Sequence, residues 1–140
     1  MGDAMIKSFF VAAALALGTP HSEARPLDRG GIIFHYQQEI AAARGAHVIS
    51  GDCMSACTMW LGYRGSCIEP DAVLWFHSAS SGFEGRNPWA DRSPIGSVMM
   101  ADSYPPALRR LVIAHGWLAT PEWHTLTGIE AVGLGARACK

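Results

Sequence analysis

Ser55 and His77 are the two residues of this chain whose types and spacing best suit covalent chemistry. Ser55 lies within the segment GDCMSACT, residues 51–58, and His77 follows 22 residues later, directly after the apolar run of residues 73–76. A serine hydroxyl is a poor nucleophile until a neighbouring base such as histidine accepts its proton. The pair therefore suits hydrolysis or acyl transfer, whereas the commoner role of a serine before an apolar helix is that of an N-cap.

Backbone N–H groups are expected close to Ser55. Residues 55–63 are apolar and predict a helix that begins at the serine. The free N–H groups and the dipole at a helix N-terminus favour negative charge, so the N–H of Ala56 is a candidate donor to a tetrahedral oxyanion. Gly30 and Gly31 are candidates for a second donor, because glycine allows close backbone approach and unusual φ angles.

The elements that must position these residues alternate between helix and strand. Apolar residues recur every three or four positions over residues 32–44, which predicts a helix that ends at Gly45. Residues 78–94 are rich in Ser, Gly, Asn and Pro and predict an exposed loop, either a substrate rim or a plain surface excursion. We further predict strands at 46–50, 67–68 and 73–76, a turn at 51–54, and helices at 107–116 and 127–132. This order indicates an α/β fold with parallel strand pairing.

Composition limits the classes of function. The chain has 140 residues, of which 49% are hydrophobic and 16% charged, so it can bury a core and is unlike disordered sequences. Its formal net charge of −1 provides no basic surface for nucleic acid. We therefore expect a globular domain without a nucleic-acid partner, and we predict neither a metal nor a cofactor.

The first 24 residues have the pattern of a secretory signal peptide. Lys7 precedes a run of nine apolar residues, 9–17, and small residues at Ser22 and Ala24 match a cleavage site. A run of this length is too short to cross about 30 Å of hydrocarbon, so we expect no stable membrane insertion. The predicted mature chain is a single domain, residues 25–140, of a bacterial protein that is periplasmic or secreted.

Three of the four cysteines surround Ser55. In an exported chain they are expected to be oxidised, and a disulfide would fix the serine loop to the strand that begins near Cys67. We favour Cys53–Cys67, with Cys57–Cys67 as the close rival. A zinc site that combines these cysteines with His77 is the alternative, although the spacing lacks a Cys-x-x-Cys pair.

Residues 51–77 resemble the core of Clp-type serine proteases, which belong to the crotonase-like superfamily. The shared features are, in order, a glycine turn before the serine, an apolar helix, a glycine-rich turn, a strand, a proline bend at Pro70 and the histidine. The sequence is closer still to exported bacterial relatives with the motif Cys-x-Ser-Ala-Cys-Thr and then Gly/Trp-Phe-His. Gly30-Gly31 resemble the oxyanion-loop glycines of that family, and residues 126–131 resemble its C-terminal Leu-x-x-x-Glu-Ala segment. The resemblance extends over about residues 30–134.

The resemblance implies a crotonase-like core of ββα units and a role for each residue of the site. Ser55 would be the nucleophile and His77 the general base, while the N–H groups of Gly30, Gly31 and Ala56 would form the oxyanion hole. The implied function is that of an exported serine hydrolase, most like a peptidase. It would cleave a peptide or a small ester or amide through an acyl-enzyme.

The chain also departs from the family pattern. The family has an aspartate just before the position of Leu126, whereas here Glu122 is the nearest acid and Asp102 a distant alternative. The serine and histidine would act as a dyad if neither acid reaches His77. Only residues 25–29 separate the predicted signal from the double glycine. We expect either an N-terminally trimmed core or a missing gene start, with the apolar run in place of a strand. The open sheet edge is one that another copy of the chain could cover.

Two other classes of function remain open from the sequence. The missing aspartate and the trimmed core favour a binding or scaffold protein that keeps the crotonase-like fold without turnover. A thiol or metal protein that uses Cys53, Cys57 and Cys67 is the second alternative.

Overall fold

The computed structural model describes residues 24–81, 87 and 89–140, which form a mixed α/β fold. The predicted signal peptide therefore lies outside the described residues, apart from Ala24. The strands are β1 (Leu27–Asp28), β2 (His47–Ile49), β3 (Asp52–Met54), β4 (Ser66–Ile68), β5 (Val73–Phe76) and β6 (His124–Thr127). The helices are α1 (Ile33–Ala42), a 3₁₀ helix (Ser55–Gly62), α2 (Pro94–Asp102), α3 (Pro106–Ala114) and α4 (Gly128–Gly133).

The main sheet has four strands in the order β1-β3-β5-β6. β1, β3 and β5 are parallel, and β6 runs antiparallel to β5. The register pairs Met54 with Trp75 and Phe76 with His124. β2 and β4 form a second, parallel sheet of two strands. The α/β class predicted from the sequence is confirmed, but the expectation of parallel pairing is wrong at β6.

The two faces of the main sheet differ in burial. Cys53, Leu74 and Phe76 are almost fully buried on one face, whereas Met54 and Trp75 on the other are only partly buried. This alternation follows from the two-residue period of a strand. The buried face packs on the apolar residues of the 3₁₀ helix and of helices α2 and α3, chiefly Met59, Met100, Leu108 and Val112.

Most of the predicted elements have counterparts close to their expected bounds. The predicted turn at 51–54 is an exception, since residues 52–54 form β3. The predicted loop at 78–94 falls partly on residues 82–86 and 88, which lie outside the described part, and α2 begins at its last residue. β1, α2 and β6 have no counterpart in the sequence prediction. The predicted helix at 55–63 forms as a 3₁₀ helix.

The cysteines pair differently from the prediction. Disulfides join Cys53 to Cys57 and Cys67 to Cys139, with Cα–Cα distances of 5.4 and 4.8 Å. The expected Cys53–Cys67 bridge and its Cys57–Cys67 rival are wrong because β4 belongs to the second sheet, where its neighbour is the C-terminal segment. There the N–H of Cys139 donates to the carbonyl of Ile68 at 3.0 Å.

Both disulfides fit an exported protein, since such bonds persist in oxidising compartments. The four cysteines contain no free thiol, so Cys53, Cys57 and Cys67 are not available as zinc ligands. Over the residues that the structure describes, no helix is both long enough and apolar enough to cross a membrane.

Candidate functional site

Ser55 occupies a sharp turn between β3 and the 3₁₀ helix. Its φ is +54°, and it is the one residue other than glycine with a positive φ among those that the structure describes. This left-handed conformation is uncommon for a residue with a side chain, and residues held in strained conformations cluster at functional sites. The turn leaves the partly buried serine side chain at the carboxyl end of β3, ahead of the first free N–H groups of the helix.

A buried chain of hydrogen bonds holds the carbonyl of Ser55. The hydroxyl of Thr58 donates to this carbonyl at 2.6 Å, and the Tyr104 hydroxyl lies 2.6 Å from the same Thr58 oxygen. Because Thr58 has already used its single proton, Tyr104 must be the donor in the second bond. Burial raises the pKa of Tyr104 well above its ordinary value, which keeps this donor protonated. The backbone of Ser55 is thus fixed from the core.

The Cys53–Cys57 disulfide closes a short loop around Ser55. Cys53 is the middle residue of β3, and Cys57 lies in the first turn of the 3₁₀ helix. Both are buried, at 1% and 4% exposure. The bridge therefore restrains the turn on both sides of the serine.

Gly30 packs against the turn that contains Ser55. Its φ is +76°, and a β-carbon built there would overlap the carbonyl oxygen of Met54 and lie 3.0 Å from the nitrogen of Ala56. The N–H of Gly30 donates to Asp28 Oδ1 at 2.8 Å, so it is already used. Among the described residues, the N–H groups of Gly31 and Ala56 have no acceptor. These two, rather than Gly30, are the candidate oxyanion donors.

Asp28 fixes the glycine turn. Besides the N–H of Gly30, its Oδ1 accepts the hydroxyl of Tyr36 from α1 at 2.6 Å. Burial and this carboxylate together raise the pKa of Tyr36 above its ordinary value. One carboxylate oxygen therefore ties the segment after β1 to the first helix and holds Gly30 against the serine turn.

His77 directly follows β5, the strand next to β3. Since Met54 is paired with Trp75, Ser55 and His77 leave neighbouring parallel strands at the same edge of the sheet, and such strands lie about 5 Å apart. The imidazole is about half-buried and packs on the indole of Trp123, with ring centroids 4.0 Å apart and planes tilted by 37°. Burial lowers the pKa of His77 below 6.5, so the ring is neutral at pH 7.

Neither predicted acid is joined to His77. Asp102 lies at the end of α2 and forms an ion pair with Arg109 at 2.6 Å. Glu122 is exposed, in the segment just before β6. In the part of the chain that the structure describes, no carboxylate is hydrogen-bonded or ion-paired with His77.

Sequence reasoning did not give Thr58, Tyr104 or Trp123 a role at this site. Thr58 was visible as part of the 51–58 motif, but its partner Tyr104 is 46 residues away and only the fold brings them together. Trp123 lies next to His77 because β6 pairs with β5, and β6 itself was not predicted.

A largely apolar pocket of about 480 Å³ lies between α2 and α3. Ser78, the neighbour of His77, lines it, but Ser55 and His77 do not. Its apolar walls include Val98, Val112 and Leu118.

The candidate groups for acyl transfer lie on adjacent elements of the fold. Ser55 has a positive φ at the start of the 3₁₀ helix, and His77, whose pKa is lowered by burial, follows the neighbouring strand. The N–H groups of Ala56, next to the serine, and of Gly31, next to Gly30, have no acceptor among the described residues. The described residues contain no cluster of three or more side chains suited to hold a metal ion. Comparison of the chain with protein-family models, with curated proteins and with solved structures found no match.

Proposed function

We propose that this protein is an exported serine hydrolase with a crotonase-like core, similar to the Clp-type proteases and acting through an acyl-enzyme. The observation that carries the proposal is the left-handed conformation of Ser55 at a strand-to-helix turn, beside Gly30 and one strand away from His77. An ordinary N-cap serine has extended backbone angles and needs no such strain. A strained turn that presents a serine is typical of nucleophiles in hydrolases.

The proposed reaction proceeds in two halves. His77 accepts the proton of the Ser55 hydroxyl as the serine oxygen attacks the carbonyl carbon of an ester or amide. The N–H groups of Gly31 and Ala56 stabilise the oxyanion, and His77 then gives its proton to the leaving alcohol or amine. Water repeats the sequence on the acyl-enzyme, which releases the acid and restores Ser55.

The apolar pocket beside Ser78 supports a substrate with an apolar group next to the scissile bond. Its volume of about 480 Å³ suits a large aliphatic or aromatic side chain of a peptide, or the acyl group of an ester. We therefore expect fluorophosphonate probes with an alkyl chain to react faster than probes of equal reactivity with a polar chain.

A fluorophosphonate probe tests the proposal directly. The folded wild-type protein should be labelled at a single site, and Ser55→Ala should abolish labelling. Ser80→Ala is the matched control, because Ser80 is an exposed serine three residues after His77 and should label like the wild type. Equal labelling of Ser55→Ala and wild type, with mass spectrometry placing the probe elsewhere, would reject Ser55 as the nucleophile.

A non-catalytic binding protein with the same core is the second candidate function. It is favoured by the lack, among the described residues, of a carboxylate bonded to His77, whose ring contacts Trp123. In that case the wild-type protein, shown to be folded by its circular dichroism and its cooperative unfolding, would not react with any of the probes.

A further inference from the structure

Trp123 packs on the imidazole ring of His77, which is bonded to no carboxylate among the described residues. We propose that Trp123 is the positioning residue of His77, holding the imidazole by ring packing instead of by a hydrogen bond that the imidazole donates to a carboxylate. The inference rests on the proposed function of the Ser55–His77 pair. It assigns a role to a residue that would otherwise be an exposed aromatic side chain.

Strand pairing brings the two rings together. β5 and β6 are antiparallel, and their last pair is Phe76 with His124. The next residues of the two strands, His77 and Trp123, are therefore opposite each other just beyond the ladder. Their ring centroids are 4.0 Å apart, which is full van der Waals contact, and the tilt of 37° lays much of the imidazole over the indole.

Trp123 is itself supported by a neighbour with a fixed position. Trp75 meets Trp123 edge-on, with centroids 6.2 Å apart and planes at 87°. The indole N–H of Trp75 donates to Asp52 Oδ1 at 3.0 Å, and the other oxygen of Asp52 pairs with Arg25 at 3.2 Å. Successive contacts thus connect Arg25 to Trp123, and they limit rotation of the Trp123 side chain.

The indole also suits the charge that His77 acquires. As the imidazole accepts the serine proton it becomes a cation, and the negative face of an indole attracts cations whose centre lies within about 6 Å. An aspartate would provide the same kind of stabilisation more strongly. We therefore expect His77, held by aromatic packing alone, to act as a base, but acyl transfer should be slower than in a full triad.

The exposure of Trp123 argues against a role in the core. Its side chain is 44% exposed, so nearly half of a large apolar surface remains in water. A residue that served only for stability would be expected to bury more of its area. Removing the indole should therefore leave the fold intact, which makes the proposal testable by substitution.

Two substitutions separate positioning from simple support of the fold. Trp123→Leu keeps apolar bulk but removes the ring, and it should slow fluorophosphonate labelling by at least about tenfold. Trp123→Phe restores an aromatic face and should label within about threefold of the wild type. Ile129→Ala is the control, since Ile129 is an exposed apolar residue on α4, and it should label like the wild type.

NMR of His77 provides a readout that does not depend on turnover. In the wild type, the ring current of Trp123 should shift the imidazole protons of His77 upfield, and Phe should preserve part of the shift while Leu removes it. Wild-type labelling rates in a folded Trp123→Leu protein, or His77 signals unchanged by that substitution, would overturn the proposal. If the wild type is not labelled at all, the proposed hydrolase function fails. The NMR shifts of the His77 imidazole protons then decide alone whether Trp123 holds the ring.

Discussion

Gly30 and Ser55 lie in such close contact that Gly30 has no room for a side chain. A β-carbon at Gly30 would be 3.0 Å from the β-carbon of Ser55 and would overlap the carbonyl of Met54. Both residues have positive φ angles, +76° and +54°. Two left-handed residues from distant parts of the chain therefore face each other, and each limits the conformations open to the other.

Gly30→Ala should damage both the fold and the site. The new methyl group must displace the turn at Ser55, and the left-handed φ adds strain, so we expect the free energy of unfolding to fall by about 2–5 kcal/mol. Labelling by the fluorophosphonate probe should be lost. Urea denaturation and labelling kinetics measure the two effects.

Gly45→Ala is the matched control for that substitution. Gly45 has a φ of +80°, but no atom lies within 4 Å of the β-carbon position. Its substitution should cost only the strain of the left-handed backbone, about 1–2 kcal/mol, and should leave labelling unchanged. If the two alanine variants are equally stable and equally reactive, contact between Gly30 and the serine turn has no functional importance.

Tyr104 donates a hydrogen bond to Thr58, which donates one to the carbonyl of Ser55, and these two bonds predict how stable variants at positions 58 and 104 should be relative to each other. Thr58→Val removes the hydroxyl that bonds both the carbonyl of Ser55 and the buried hydroxyl of Tyr104, and should cost about 1–3 kcal/mol. Tyr104→Phe removes one bond but leaves Thr58 bonded to Ser55, so a smaller loss of about 0.5–1.5 kcal/mol is expected.

Thr58→Ser is the control, because it keeps the hydroxyl and removes only a methyl group. We expect Thr58→Ser and Tyr104→Phe to keep most of the labelling rate and Thr58→Val to reduce it. A Tyr104→Phe variant less stable than Thr58→Val in urea denaturation would contradict this order of donors.

Local patterns in the sequence predicted the elements whose periodicity lies within a few residues. The helix at 32–44 became α1, and the strand at 73–76 is present with the expected bounds. Thr127 and Glu130 form a reciprocal capping box, in which the Thr127 side chain accepts the N–H of Glu130 and the glutamate accepts the N–H of Thr127. Such signals need no knowledge of the rest of the fold.

Features that depend on distant pairing were not predictable in the same way. β3 is three residues long and includes Asp52, whose carboxylate is tolerated because it bonds Arg25 and Trp75. β6 has two exposed threonines and one buried residue, Leu126, so its sequence carries little apolar signal. The disulfides follow the placement of β4 in the second sheet, and the spacing of cysteines along the chain does not reveal this placement.

Burial of His77 predicts that the protein loses stability in mild acid. The pKa of His77 is lowered by burial, while in the unfolded chain a histidine titrates near about 6.5. Below that pH the unfolded state binds more protons than the folded state. The contribution of His77 to the free energy of unfolding is therefore full above about pH 6.5, and it is lost as the pH falls towards the pKa of His77 in the folded protein. Urea denaturation over this range should show a falling free energy of unfolding.

His77→Gln should weaken this pH dependence, and His35→Gln, at an exposed position on α1, should leave it unchanged. The pKa of His47 is also lowered, because burial outweighs the opposing charge of Asp28. His47 therefore adds to the loss of stability as the pH falls. The midpoint of the pH profile for probe labelling should also lie below about 6.5, since a neutral His77 is the active base. A wild-type protein whose stability rises as the pH falls through this window would contradict the assignment.

The two disulfides are expected to serve different purposes. Cys67–Cys139 joins residues 72 apart in sequence, whereas Cys53–Cys57 joins residues 4 apart. Because a longer loop restrains the unfolded chain more, replacing both cysteines by alanine should cost about 4 kcal/mol for the first bond and about 2 kcal/mol for the second. Urea denaturation of the two double variants measures this difference.

Labelling should rank the same two variants in the opposite order. Cys53→Ala/Cys57→Ala frees the turn that holds Ser55, so we expect a loss of at least about tenfold in labelling rate, comparable to the displacement of a catalytic group. Cys67→Ala/Cys139→Ala leaves that turn intact and should label at close to the wild-type rate wherever it is still folded. Wild-type labelling in a folded Cys53→Ala/Cys57→Ala protein would mean that the core contacts of Thr58 and Gly30 hold the serine without the disulfide.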